Sequence, residues 1–234
     1  MWEVTTVDAE ILRARVEAVR ANLAAASQGR YPTPRMIAVT KTHPAEMILP
    51  LRGMGVEDIG ENRVQEIEEK LPALKENFRI HLIGRLQSNK VKYIIENVCL
   101  IQSLDRLSLA AEIDRQAQKH LCVMPVLVQV SPAGEPQKGG LPPEDVRAFL
   151  REAARMPGLQ LRGLMAVMPL SQDEAYLSGL FADMRTLFER LREEAIDGVE
   201  MEELSMGMSG DYMLAARHGA TMVRVGSALF GPRS

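Results

Sequence analysis

Eight short apolar, partly β-branched runs recur along the chain, and all but the last are followed by a stretch of helical periodicity. The first is Met36-Ile37-Ala38-Val39-Thr40, a buried strand opening onto the polar Lys41-Thr42-His43-Pro44, whose proline suits the start of a helix. The others end near residues 58–60, 80–83, 100–103, 125–130, 161–165, 203–205 and 222–225. Between them helices are expected at 45–54, 63–71, 88–97, 106–120, 143–155, 173–195 and 211–218. A further amphipathic helix over residues 7–27 precedes the first strand, with Ile11, Leu12, Val16, Val19 and Leu23 near the helical period. Strands separated by helices pair in parallel, and eight such units close into a (β/α)8 barrel of the α/β class. An open doubly wound sheet is the alternative, but no Gly-x-Gly-x-x-Gly fingerprint follows the first strand. No composition shift or long linker divides the chain, so residues 1–234 are expected to form one domain.

Charge and composition narrow the function classes. With 28 basic against 31 acidic residues, a nucleic-acid partner held by bulk charge is not expected. No apolar run approaches the roughly 20 residues of a membrane span, and Met1-Trp2-Glu3-Val4 does not begin a secretory signal. Cys99 and Cys122 are the only cysteines, and His43, His81, His120 and His218 are scattered, so neither a disulfide framework nor a metal site is expected. These features read as a cytoplasmic protein.

In a barrel of this kind, chemistry gathers at the carboxyl ends of the strands. Those positions hold Lys41, Glu61-Asn62, His81, Ser103, Gln129, Met165, Ser205, Arg224 and Gly226-Ser227. A lysine there invites Schiff-base chemistry, which requires a neutral amine and so a pKa lowered by burial or a nearby cation. Arg224, on the strand adjacent to the first in a closed barrel, is a candidate for that cation; the bland alternative for Lys41 is a snorkelling surface lysine. The segment Leu204-Ser205-Met206-Gly207-Met208-Ser209-Gly210-Asp211, with Val225-Gly226-Ser227-Ala228 behind it, offers hydroxyls and glycine amides for an anion. The same residues also read as helix caps and a turn. Asn62 is either an amide at the mouth or a cap, and His81, beside apolar Leu82-Ile83, reads as a hydrogen-bonded interior residue. Lys138-Gly139-Gly140 reads as a solvated loop, and the methionines near the seventh strand as packing.

Taken in order, several motifs resemble the pyridoxal 5′-phosphate homeostasis protein family (the YggS/PROSC group), whose barrel is similar to the N-terminal domain of alanine racemase. They are Ala38-Val39-Thr40-Lys41-Thr42, Gly60-Glu61-Asn62-Arg63-Val64-Gln65-Glu66 and His81-Leu82-Ile83-Gly84-Arg85-Leu86-Gln87-Ser88-Asn89-Lys90. Ser103-Leu104-Asp105, Lys138-Gly139-Gly140, Arg162-Gly163-Leu164-Met165 and Leu204-Ser205-Met206-Gly207-Met208-Ser209 follow. Met222-Val223-Arg224-Val225-Gly226-Ser227-Ala228-Leu229-Phe230-Gly231 closes the set. The resemblance implies pyridoxal 5′-phosphate as cofactor, joined to Lys41 as an internal aldimine. It implies Ser205 and the amides of Gly226 and Ser227 at the phosphate, with Met208 and Ser209 in the same pocket. Arg224 would face the pyridine nitrogen, and Asn62, His81 and Met165 would line the ring pocket. The chain departs from the family at Ser227, usually threonine, at Arg85, often proline, and at Leu82, often aromatic. None of these changes touches the lysine.

An arginine at the ring nitrogen disfavours its protonation and weakens the ring as an electron sink. Racemisation also needs an acid or base on each face, and none of Tyr31, Tyr93, Tyr176 and Tyr212 stands at a strand end. With Ser234 a few residues beyond the eighth strand, the second domain that supplies this tyrosine in racemases is not expected. Binding, buffering and delivery of the cofactor are therefore expected, with a low-activity amino-acid racemase as the alternative and a Schiff-base aldolase behind it. The expected partners are the cofactor and pyridoxal-phosphate-dependent apo-enzymes as recipients, and the expected state is a monomer, with a weak dimer as alternative. The sequence assigns no transfer role to Lys90 or Lys138.

Overall fold

A computed structural model describes residues 9–135 and 139–231, so Lys138 and the start of the expected first helix lie outside it. Eight parallel strands close on themselves in sequence order: β1 (Arg35–Val39), β2 (Asp58–Glu61), β3 (Arg79–Leu82), β4 (Leu100–Leu104), β5 (Met124–Val130), β6 (Leu159–Ala166), β7 (Val199–Met208) and β8 (Met222–Val225). The seam pairs Ile37 with Arg224 and Ala38 with Val225. This is the (β/α)8 barrel that the strand–helix alternation predicts. Helix α1 (Ala9–Ser27) is the expected extra N-terminal element. The remaining helices are α2 (Ala45–Ile48), α3 (Val64–Leu74), α4 (Leu107–Lys119), α5 (Val146–Ala153), α6 (Glu174–Glu194), α7 (Tyr212–Arg217) and α8 (Ser227–Phe230).

Among the described residues the buried apolar side chains form two clusters. The larger joins the outer faces of the strands to the helices, Leu12, Val16 and Leu23 of α1 included. The smaller joins the buried strand residues Ile37, Leu100, Leu127, Met165 and Met222, with Cys99 and Val167 packed against them, and shares the barrel interior with buried polar side chains. Both faces of most strands are buried, so they carry near-continuous apolar runs instead of alternating ones.

Two expectations are corrected. Residues 88–97 form a 3₁₀ turn (Ser88–Tyr93), and the second helix passes into 3₁₀ geometry at Leu49–Met54, where Pro50 removes an amide donor and Gly53 lowers helix propensity. Strand β7 continues to Met208 instead of ending at Ser205, with a register shift against β8 between those two residues. A second shift, between β6 and β7, falls at Gly163, where φ is +141° and an added Cβ would lie 1.9 Å from the Glu203 carbonyl oxygen. Only glycine fits that approach.

Candidate cofactor site at the barrel mouth

Lys41 leaves β1 on a turn anchored on both sides. Before it, the buried Thr40 hydroxyl donates to Glu61 Oε1 at 2.6 Å. After it, the Thr42 amide donates to Glu66 Oε2 at 2.6 Å. Lys70 Nζ stitches the two together, donating to Thr40 O (3.0 Å), Glu61 Oε1 (2.9 Å) and Glu66 Oε2 (3.2 Å). Thr42 holds φ at +68°, a costly conformation for a β-branched residue, which these contacts sustain. Burial pushes the Glu61 carboxyl above its usual range despite Thr40 and Lys70, and its Oε2 is buried without a hydrogen bond. Glu66 is held below its usual range: burial works the other way, but the Thr42 amide and Lys70 outweigh it. Lys41 itself is half-buried. Farther along the same loop, the His43 ring stacks on Phe230 of α8, with centroids 4.2 Å apart.

The end of β8 meets this turn across the seam. Gly226 lies against Val39, an added Cβ falling 3.3 Å from that residue's Cβ. The Ser209 hydroxyl oxygen accepts from the amides of Gly226 (3.0 Å) and Ala228 (3.2 Å). An oxygen therefore already occupies the position where an anion would take the same two donors. Asp211 holds the approach to α7 by accepting from the Met208 amide at 2.5 Å. Ser227 is exposed at the first position of α8, and Met208 at the end of β7 is 39% exposed.

Arg224 is 4% exposed, and its guanidinium donates to the Ser205 hydroxyl and the Ala166 carbonyl, each at 2.7 Å. Both partners are neutral oxygens. Burial pulls its pKa down to about 10, against an attraction from Asp211. The side chain remains cationic at neutral pH inside the barrel. Ser205, expected at the phosphate, has no solvent exposure: its hydroxyl donates to Gln102 Oε1 at 2.7 Å while accepting from Arg224. The three-residue extension of β7 is the physical reason, since it makes Ser205 an interior strand residue and leaves Ser209 at the loop.

His81 is the hydrogen-bonded interior residue its apolar surroundings indicate, bonded to Asp58 at 2.9 Å and Gln102 at 3.1 Å. Met165 is fully buried in the interior core. Asn62 is half-buried and is not a helix cap; Arg63 holds the N-cap position of α3 and makes no side-chain cap. A cleft of about 1150 Å³ opens beside Asn62, with Arg63, Arg85, Lys90 and Arg106 among its walls. Lys90, one of these walls, lies over the Tyr93 ring at 5.5 Å.

Sequence reasoning missed Lys70, Glu66 and Gln102. The spacing of Glu66 and Lys70 on one helix face was a readable signal. Gln102, inside a strand and outside any motif, gave none. Among the described residues no His/Cys/Asp/Glu group is arranged to hold a metal, and no helix is long and apolar enough to cross a membrane.

The profile of the alanine racemase N-terminal domain matches residues 15–234. A pyridoxal phosphate homeostasis protein of Aquifex aeolicus is 40% identical over 200 residues, covering 85% of this chain and 87% of that one. That of Pseudomonas aeruginosa is 39% identical, with 92% of each chain covered. PipY of Synechococcus elongatus PCC7942, solved with PLP bound, superposes with a TM-score of 0.83 at 36% identity, over 94% of this chain and all of that one (100%). Alanine racemase of Bartonella henselae shares the fold, with a TM-score of 0.75 at 16% identity over 97% of this chain and 60% of that one. With its motifs, its closed barrel and relatives of this identity and coverage, the chain belongs to the pyridoxal phosphate homeostasis protein family.

Proposed function

We propose that this chain binds pyridoxal 5′-phosphate at the barrel mouth and takes part in its homeostasis by holding and releasing it. The observation that carries this reading is Arg224: a cation sealed in the barrel interior between two neutral oxygens, on the strand that pairs with the one leading to Lys41. Burying such a charge is costly unless something at the site uses it. The donor set fits the cofactor. Lys41 supplies the amine, and the amides of Gly226 and Ala228 would receive the phosphate in place of the Ser209 oxygen, whose hydroxyl would turn to donate to it. Arg224 would face the pyridine nitrogen, with Asn62, His81, Met165 and Met208 around the ring, and Ser205 holding Arg224 from below. Ser227, exposed at the start of α8, would add its amide to the phosphate set.

When bound, the cofactor contributes an aldehyde that an amine captures reversibly, and a visible chromophore. The chain's own part is to keep Lys41 close to that aldehyde on a braced turn, and to keep a guanidinium, not a carboxylate, at the ring nitrogen. That choice weakens carbanion chemistry. The described tyrosines are engaged elsewhere: Tyr31 with Arg30 and Arg185, Tyr93 with Lys90 and Lys92, and the Tyr212 hydroxyl with Asn22 of α1, while Tyr176 is 46% exposed on α6. These features favour holding and delivery over racemisation. The names of the relatives and the PLP-bound PipY structure support the same reading. We further propose that cofactor leaves through the open cleft beside Asn62 for apo-enzymes that use it.

The test is the absorbance spectrum of purified protein before and after borohydride, with Lys41→Ala alongside. A visible band bleached by reduction, leaving a pyridoxyl mass adduct on Lys41 and missing from the variant, is expected. No band after addition of pyridoxal phosphate overturns the reading. Inversion of single amino-acid enantiomers that Lys41→Ala abolishes would favour the racemase alternative.

A further inference from the structure

A single run of buried hydrogen bonds crosses the barrel interior from the candidate site to Asp58. Arg224 Nη1 donates to Ser205 Oγ (2.7 Å), and the Ser205 hydroxyl donates to Gln102 Oε1 (2.7 Å). At the other end of the amide, Gln102 Nε2 donates to His81 Nδ1 (3.1 Å), and His81 Nε2 donates to Asp58 Oδ1 (2.9 Å). The direction is fixed by chemistry. A carboxylate accepts only, so in the neutral ring the imidazole proton stands on Nε2; Nδ1 is then an acceptor and must face the amide nitrogen. The amide oxygen is left for Ser205, whose remaining lone pair receives Arg224. Gln102, Ser205, His81 and Arg224 are at most 4% exposed, so water is in no position to repair a broken link.

We propose that Gln102 is a positioning residue of the cofactor site: its amide, oriented by His81, fixes the Ser205 hydroxyl that seats the Arg224 guanidinium. The role toward the cofactor rests on the function proposed above; the coupling between His81 and Arg224 does not.

The arrangement has a second state. When His81 takes a proton from solvent at Nδ1, that nitrogen becomes a donor opposing the amide nitrogen. Gln102 then turns its amide over, giving Oε1 to His81 and Nε2 to Ser205. Ser205 now faces two donors, Gln102 and Arg224, and its own hydroxyl proton has lost its acceptor. A buried donor left unmade is costly, so the seat of Arg224 loosens. The groups acting on the ring are Asp58 on β2 and Cys99 just before β4, with Arg79 on the histidine's own strand and Arg35 on β1 acting through Asp58. Burial disfavours the imidazolium, but Asp58 and Cys99 outweigh it and hold His81 above its ordinary value.

Nitrogen-15 NMR of the full chain without added cofactor reads the coupling directly. In the native sequence the Arg224 guanidinium resonance is expected to titrate with the His81 midpoint. In Gln102→Leu it should no longer follow His81, and the His81 midpoint should rise, because the donor that favours the neutral ring is gone. Ser205→Ala, which cuts the chain one link farther on, should uncouple Arg224 as well and stands in should Gln102→Leu fail to fold. An Arg224 signal that is flat through the His81 titration, or one that still follows it in the cut chains, overturns the coupling.

The same titration with saturating pyridoxal phosphate tests the role toward the cofactor. Loading is expected to lower the His81 midpoint in the native sequence but not in the cut chains. By linkage, a midpoint that moves down by about one pH unit matches a roughly tenfold loss of affinity on protonation. Cofactor that binds without moving the midpoint overturns the positioning role. Cofactor that does not bind at all overturns the proposed function, and the cofactor-free titration still decides the coupling.

Discussion

His81 and Asp58 show how one buried pair shapes the pH response of the whole chain. Burial works against ionisation of both, yet each favours the charge of the other: His81 is held above its ordinary value, and Asp58 below its own with help from Arg79 and Arg35. The signs differ. The raised histidine contributes stability that is complete below its unfolded value of about 6.5 and is lost as pH rises through the folded value. The lowered aspartate contributes stability present above about 3.9 and lost as pH falls through its folded value. The pair is therefore worth most between those limits. Urea unfolding of the native chain and His81→Gln at pH 6 and pH 9 should show a stability gap that narrows at the higher pH. A gap independent of pH would mean that folding leaves the ring's affinity for its proton unchanged. Of this pair the sequence discloses only that His81 is interior, because Asp58 and Gln102 reach it across strands and leave no local pattern.

At the scale of elements, β2 and β3 explain why the loop after each strand carries the residue it does. The β3 loop passes so close to the end of β2 that a Cβ on Gly84 would stand 2.3 Å from the Asn62 carbonyl oxygen. Backbone on that side cannot yield as a flexible side-chain tip would. Gly84→Ala should therefore push Asn62 off its position while the barrel, whose register is set by the strands, stays intact. Circular dichroism should be unchanged, and pyridoxal phosphate affinity should fall at least about tenfold, a loss of about 1.4 kcal/mol. Unchanged affinity would remove Asn62 from the site. The eight strands were legible because each is a short apolar run between turn residues, and the count itself implies closure. The helical segments were less so. Val91, Ile94 and Ile95 are all buried at spacings that a 3₁₀ turn satisfies as well as a helix does, so periodicity alone could not separate them. The extension of β7 was hidden because Met206-Gly207-Met208-Ser209 reads as loop chemistry, and it moved Ser205 inward and Ser209 to the amides.

The whole barrel depends on its seam. The last unit ends in the short α8, and α1 packs across that side against α7, α8 and the 49–54 segment. Its polar contacts reach each of them: Arg15 donates to Leu229 O (3.0 Å), Asn22 to the Tyr212 hydroxyl (2.9 Å), and Arg20 to the carbonyls of Met54 (2.7 Å) and Gly55 (2.6 Å). Helix α1 thus clamps both flanks of the β1–β8 pair, the same pair that sets Gly226 against Val39, two residues before Lys41. Leu23, 1% exposed in this layer, is the place to loosen the clamp. Leu23→Ala should cost about 2–4 kcal/mol, which for a chain of this size is a fall in Tm of roughly 4–16 °C. The location of the damage is the sharper test. Hydrogen exchange should quicken first in β1 and β8, while β4 and β5, remote from α1, keep their protection. Cofactor retention should weaken with it, although Leu23 lies in α1 and outside the candidate site. Uniform acceleration around the barrel would mean that closure is distributed over all eight units, and that α1 serves only as one more layer of core.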